Sequence, residues 1–205
     1  RFRGIRPNVT WSPDPELDNR ESEEIMANSS FREGAKVLAQ KGLVLDVMLS
    51  FPQMREFADF AKSVPDLPII LNHIGALSRV GIYANREDEV RAEWQRGIDA
   101  AAACPNVTIK LGGLGMPRMG FGWHTRDVPI GSEELAADMA PWINYCIEKF
   151  GPSRSMFESN FPPDKVSYSY NVMYNAFKRL CQGYSESERA AMLHDTATKV
   201  YGIKV

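Results

Sequence analysis

The chain has 205 residues, 44% of them hydrophobic, and a net charge of -2 from 24 basic and 26 acidic side chains. That length and apolar share suit one globular domain, residues 1–205, with a real core. The interspersed charge gives neither the basic footprint of a nucleic-acid binder nor a membrane-binding stripe, and no apolar run is long enough to span a bilayer.

The first segment, "FRGIRPN" (2–8), reads as a strand ending near Pro7. The chain opens without a methionine and enters this strand directly, so an upstream portion is expected to precede it. "SSFREGAKVLAQKG" (29–42) reads as a helix, with a capping box expected at Ser30 and Glu33 and a C-cap at Gly42. "LVLDVML" (43–49) is a short apolar run with one acid, the pattern of a buried strand. "PQMREFADFAKS" (52–63) starts on Pro52 and places Met54, Phe57, Ala58 and Ala61 on one helical face.

"LPIILNH" (67–73) is the third strand, and "REDEVRAEWQRGIDAAA" (86–102) a helix with acids in its first turn. "NVTIKLGG" (106–113) is the fourth strand, followed by a long loop rich in Gly and Met up to Gly131. "SEELAADMAPWINYCIEKFG" (132–151) is a helix expected to kink or divide near Pro141. "SRSMFES" (153–159) is the last strand, closed by Pro162 and Pro163, which forbid further ladder pairing. Helices follow over 168–183 and 185–195, the second with capping-box spacing at Ser185 and Glu188, and a short one over 197–202.

Near-continuous apolar strands alternating with amphipathic helices mean parallel pairing through helical crossovers. A doubly wound sheet and a (β/α)8 barrel both fit, and in both folds ligands gather at the C-terminal ends of the strands. That rule selects Arg6 and Asn8, Asp46, Asn72 and His73, Lys110, and Glu158 to Asn160. His124 and Asp127, with Trp123, sit in the Gly-rich loop, which reads either as a lid or substrate wall or as an ordered surface loop. His73 reads either as a proton carrier or metal ligand, or as a histidine bonded to a neighbouring loop. Asp46, a lone acid in an apolar strand, must be paired, hydrogen-bonded or protonated. Either Arg6 is that partner or the acid faces the barrel mouth, and a structural salt bridge competes with chemistry as the explanation. Lys110 reads as a partner of Glu158 or as a contact for a substrate anion. His194, late on a terminal helix, reads as structural.

No dinucleotide or P-loop fingerprint is present, and "GGLG" (112–115) lacks phosphate-cradle spacing. There is no GxSxG elbow and no HExxH. The three cysteines, Cys104, Cys146 and Cys181, have no CxxC or framework spacing, so a reducing, cytoplasmic setting is the default.

The segments "FRGIR", "GLVLDVMLSFPQM", "PIILNHIG", "NVTIKLGGLGMP", "MFESNFP" and "TATKVYG" together resemble the amidohydrolase-related (amidohydrolase 2) family of TIM-barrel hydrolases, which includes sugar-lactone and pyrone-dicarboxylate lactonase relatives. The resemblance covers almost the whole chain. It implies a (β/α)8 barrel of which only strands four to eight are present. The family's first strand carries an HxH pair; this sequence has none. His73 matches the histidine of strand six. Asn160 stands where a segment commonly reading GSDWP has its aspartate, and Phe51 where many relatives have a histidine before "PQ". Asparagine cannot accept a proton at neutral pH, and phenylalanine cannot ligate a metal.

The resemblance implies a hydrolase that opens a lactone or other cyclic ester of a small carboxylated compound. His73, Asp46, Asn160 and His124 are its candidate catalytic residues; Arg6, Asn72, Lys110 and Trp123 are its candidate substrate contacts. One divalent metal, zinc or manganese, is compatible with the family, with His73 the single ligand visible here. A non-oxidative decarboxylase on the same barrel, and a barrel that binds a small ligand without turning it over, are the alternatives. A further chain segment or an identical partner is expected to cover the open barrel edges.

Overall fold

The computed structural model describes residues 2–17 and 24–204. Five strands form one sheet in the order β1-β2-β3-β4-β5. They are β1 (Gly4–Ile5), β2 (Val44–Val47), β3 (Ile69–Leu71), β4 (Val107–Leu111) and β5 (Ser155–Phe157). Every neighbouring pair is parallel. Helices α1 (Ser29–Gln40), α2 (Met54–Ser63), α3 (Glu87–Ala102) and α4 (Ser132–Phe150) supply the crossovers, and α5 (Tyr170–Leu180), α6 (Glu186–Ala190) and α7 (Thr196–Val200) complete the chain. The first strand is shorter than its sequence suggests, although an isolated bridge from Asn8 to Met48 carries the pairing on.

The expected cap of α1 moves. Asn28, not Ser30, is the N-cap; its Oδ1 accepts from the backbone N–H of Ser30 at 2.8 Å and of Phe31 at 3.4 Å. Asparagine caps at least as well as serine and has the extended backbone the position needs, so Ser30 is drawn into the first turn. The other end is a Schellman turn: Gly42 takes φ +63, its N–H reaches Ala39 O, and the Leu43 N–H reaches Leu38 O. Pro141 does not divide α4, which runs unbroken for 19 residues with buried Met139 and Trp142 on either side of the proline. At the C-terminus α6 passes through a π-turn (Ala191–Asp195) into α7 without a break, and the Ser185–Glu188 capping box is present.

The register sorts the side chains. Leu45, Ile69 and Val107 lie side by side and face the helices, in the main core. Asp46, Ile70 and Thr108 are the next row and face the other way. Stepping by two along each strand places Asp46, Asn72, Lys110 and Glu158 all on that inner face. Its lower layer is apolar: Val44, Ile70 and Met156 pack against Ala197, Val200 and Tyr201 of the C-terminal segment. Its upper layer, toward the C-terminal ends of the strands, is polar.

Candidate active site

Just past β3 the backbone turns left-handed. His73, Ile74, Gly75 and Ala76 have φ of 53, 48, 77 and 43. A β-branched residue at positive φ is a true outlier, and each such non-glycine residue costs of order 1–3 kcal/mol. Surrounding groups hold the turn. Ile74 is fully buried and its carbonyl accepts from Trp94 Nε1 at 2.7 Å. The Glu158 carboxylate binds the first residue twice: Oε1 accepts from the His73 backbone N–H at 3.1 Å and lies 2.5 Å from His73 Nδ1.

An ionised carboxylate only accepts, so Nδ1 carries the ring proton and Nε2 is left with its lone pair. Burial alone would push the Glu158 carboxyl up. The hydrogen bonds from the His73 ring and backbone N–H, with the Lys110 ammonium, outweigh it and hold the group below its ordinary value. The glycines of "GGLG" make room for this pair. A Cβ on Gly113 would fall 2.6 Å from the His73 side chain, and one on Gly112 would meet the Glu158 carbonyl at 2.3 Å. The segment that resembles a phosphate cradle is a packing surface for the dyad.

Below the dyad lies a second cluster. Lys110 Nζ donates to Asp46 Oδ1 at 2.5 Å and to Asn72 Oδ1 at 2.9 Å, and sits 4.0 Å from Glu158 Oε2. Tyr201 Oη donates to Asp46, 2.9 and 3.0 Å from its two oxygens. The ion partner of Asp46 is therefore Lys110, not Arg6. Arg6 is exposed at the end of β1, one strand away, whereas Lys110 rises from the inner face of β4. Glu158 likewise pairs first with His73 rather than with Lys110. Asn72 is fully buried, and because Lys110 fixes its Oδ1, the orientation of its amide is settled: both Nδ2 hydrogens point elsewhere, and Nδ2 has no hydrogen-bond partner among the described residues.

Asn160 has φ +48, and its amide donates to Asp164 Oδ1 at 2.7 Å. Asp164 is fully buried and also accepts from Gly115 N at 3.0 Å and Tyr168 Oη at 2.7 Å. Burial pushes the Asp164 carboxyl up, more than these three donors bring it down. This carboxylate ties the turn after β5 to the Gly-rich loop, and Ser167 Oγ reinforces the tie on Gly115 O at 2.5 Å. The loop is a packed wall: Leu114, Met119 and Trp123 are buried, Trp123 stacks on Phe121, and its Nε1 donates to Asp138 at 2.9 Å. His124, next in sequence, is exposed, and no hydrogen bond or ion pair joins it to the cluster among the described residues. His194 lies on the surface beside Asp195.

The structure thus places His73, Asp46, Asn72 and Lys110 in one cluster, to which sequence reasoning does not assign Glu158 as partner of His73, Tyr201 as partner of Asp46, or the buried Asp164. A metal does not fit this set. Among the described residues no three His, Cys, Asp or Glu side chains converge on one point, and Asp46 and Asp164 are committed to Lys110, Tyr201, Tyr168 and backbone donors. Also among the described residues, no helix is long and apolar enough to cross a membrane.

The chain is 35% identical over 202 residues to the uncharacterized protein y4mH of Sinorhizobium fredii, covering 98% of this chain and 61% of that protein. It is 25% identical over 204 residues to an L-fucono-1,5-lactonase of Burkholderia multivorans, covering 99% of this chain and 64% of the relative. A crystal structure of a Burkholderia multivorans amidohydrolase with bound zinc superposes with a TM-score of 0.79 at 22% identity, covering 98% of this chain and 65% of that one. The chain therefore spans a little under two thirds of the length of these relatives, and its five-stranded parallel sheet matches part of their barrel fold. The Amidohydrolase family profile matches residues 1–203, and the chain belongs to that family.

Proposed function

We propose that this chain carries the acid–base half of a hydrolase acting on a cyclic ester of a small carboxylated compound. The observation that carries the reading is the Glu158–His73 pair. One carboxylate oxygen holds both the ring Nδ1–H and the backbone N–H of a histidine set in a strained turn at the end of a strand. That arrangement fixes the tautomer and leaves Nε2 as a proton acceptor. Relatives include an L-fucono-1,5-lactonase and an L-rhamnono-gamma-lactonase, which supports a lactone as substrate.

In this reading Nε2 takes a proton from water, and the hydroxide oxygen bonds to the ester carbonyl carbon. Negative charge develops on the carbonyl oxygen, where the positive field of the Lys110 ammonium offsets it. Collapse breaks the ring carbon–oxygen bond, and the leaving alkoxide takes the proton back from Nε2, giving a hydroxy acid. Glu158 stays ionised throughout and stabilises the transient imidazolium. Asn160 is not a base in this scheme; it orients Asp164.

The test is acid release from a panel of 1,5- and 1,4-lactones of sugar acids, followed with a pH indicator. Hydrolysis of at least one lactone, reduced about 10²-fold or more by His73→Gln, is expected. Silence across the panel, with carbon dioxide released from aromatic carboxylates instead, would replace the reading with a decarboxylase.

A further inference from the structure

Phe51 stands where the family resemblance sets a histidine, yet it does not join the His73 cluster. It is buried in the main core, with its ring edge-on to Tyr83 at 5.0 Å between centroids. There it helps to floor a separate cavity of about 330 Å³, between the first turn of α2 and the middle of α3. Small-molecule sites start at about this size. Met54, fully buried, lines the floor beside Phe51. Gly97 lines it from α3: a Cβ there would fall 2.3 Å from Met54 Cε and 2.7 Å from Met54 Cβ. A glycine inside a helix weakens it. This one lets α3 close on Met54 and leaves no side chain at that position in the cavity.

The mouth is charged. Glu93 and Arg96 share the Gly97 face of α3, at positions three and four apart, and Arg55 lines the same cavity from α2. All three are exposed, and among the described residues no ion pair or side-chain hydrogen bond engages any of them. Arg91, on the same helix, is different: it pairs with Glu87 at 3.3 Å and lies over the Trp142 ring at 4.4 Å. Two uncommitted guanidinium groups against one carboxylate make the mouth net positive above an apolar floor. A guanidinium holds a carboxylate through two parallel N–H···O bonds, and an aromatic ring with a thioether beside it accepts an apolar body.

We propose that this cavity is a second small-molecule site, which takes a small organic carboxylate, its charge on Arg55 and Arg96 and its apolar body on Phe51 and Met54. None of its lining residues belongs to the His73 cluster. The site is independent of the lactone reading.

The experiment is a titration of the full chain with 4-fluorobenzoate, followed by fluorine-19 line broadening and mapped on backbone amides in proton–nitrogen spectra. Saturable shifts at the Gly97 and Ala100 amides are expected. Arg55→Gln and Arg96→Gln should each weaken binding about tenfold. Glu93→Gln removes the acid at the mouth and should tighten it. Lys178→Gln, at an exposed lysine of α5, should change nothing. These opposite signs support the site, since a general loss of charge or of packing does not produce them. Shifts confined to residues around His73, no saturation, or equal weakening by Lys178→Gln overturns it. If one arginine variant does not fold, the other and Glu93→Gln decide by the same signs. Inorganic phosphate, titrated in the same way, separates charge from body: weaker binding than 4-fluorobenzoate supports an organic carboxylate, and equal or tighter binding overturns that assignment.

Discussion

Replacing Glu158 by glutamine keeps the shape of the side chain and removes its charge. In the native protein one oxygen accepts two hydrogen bonds from His73, at 2.5 and 3.1 Å, and the other faces Lys110 at 4.0 Å. The bond to the ring changes from charge-assisted to neutral, a loss of about 1–2 kcal/mol. The Lys110 attraction at this distance is at most about 4 kcal/mol in an effective dielectric near 20. Most of that is offset, because a buried carboxylate no longer has to be stripped of water. The glutamine amide cannot serve both neighbours either: with its oxygen on His73, its NH2 is turned toward the Lys110 ammonium. A net destabilisation of about 2 kcal/mol follows, or roughly 4–8 °C in Tm for a chain of this size. Thermal unfolding followed by circular dichroism at pH 7 measures it. A melting point within about 1 °C of wild type would show that the carboxylate does not hold the left-handed turn, and the reasoning would fail.

Three further outcomes follow from the same contacts. Asn160→Asp sets a second carboxylate 2.7 Å from Asp164, where both cannot ionise cheaply; a loss of about 2 kcal/mol at pH 7, shrinking by pH 5 as the pair shares a proton, is expected in melts at the two pH values. Gly113→Ala places a Cβ 2.6 Å from His73 at a φ of +75, so a loss of about 2 kcal/mol or more is expected in denaturant unfolding, with a displaced His73 ring resonance. Glu158 is held below its ordinary value of 4.5, so its contribution to stability is present above that value and lost as pH falls through the folded-state value. Asp164, pushed above 3.8 by burial, has the opposite sign: its contribution is present below that value and lost as pH rises through the raised one. The acid limb of a stability–pH curve should therefore flatten in Glu158→Gln and steepen in Asp164→Asn.

The fold was legible because its signals are local. Apolar runs of strand length, amphipathic helices and the Gly42 stop each lie within a few residues of what they specify. The α1 cap was misplaced because Asn28 and Ser30 both satisfy capping chemistry, and only the backbone path chooses between them. The site was half legible for a related reason. That Asp46 must have a partner follows from its apolar strand, but which partner depends on the sheet register. Arg6 and Lys110 are equally good cations in sequence, and only the inward row of β4 brings Lys110 to 2.5 Å. His73 and Glu158 are 85 residues apart and meet only because β4 lies between their strands. Tyr201 carries no pattern that points to Asp46. Asp164 reads as part of a proline turn, and its burial comes from the Gly-rich loop folding over it. The family resemblance marked Asn160 as the departure at this strand end; the structure shows what the asparagine does there.

The most direct measurement is the protonation state of the His73 ring at neutral pH, read from nitrogen-15 shifts in long-range proton–nitrogen spectra. The dyad requires Nδ1 to carry the hydrogen and Nε2 to show the shift of an unprotonated nitrogen, and requires Glu158→Gln to blur that preference. A neutral ring protonated at Nε2 would leave no lone pair facing a substrate water, and would contradict His73 as the base.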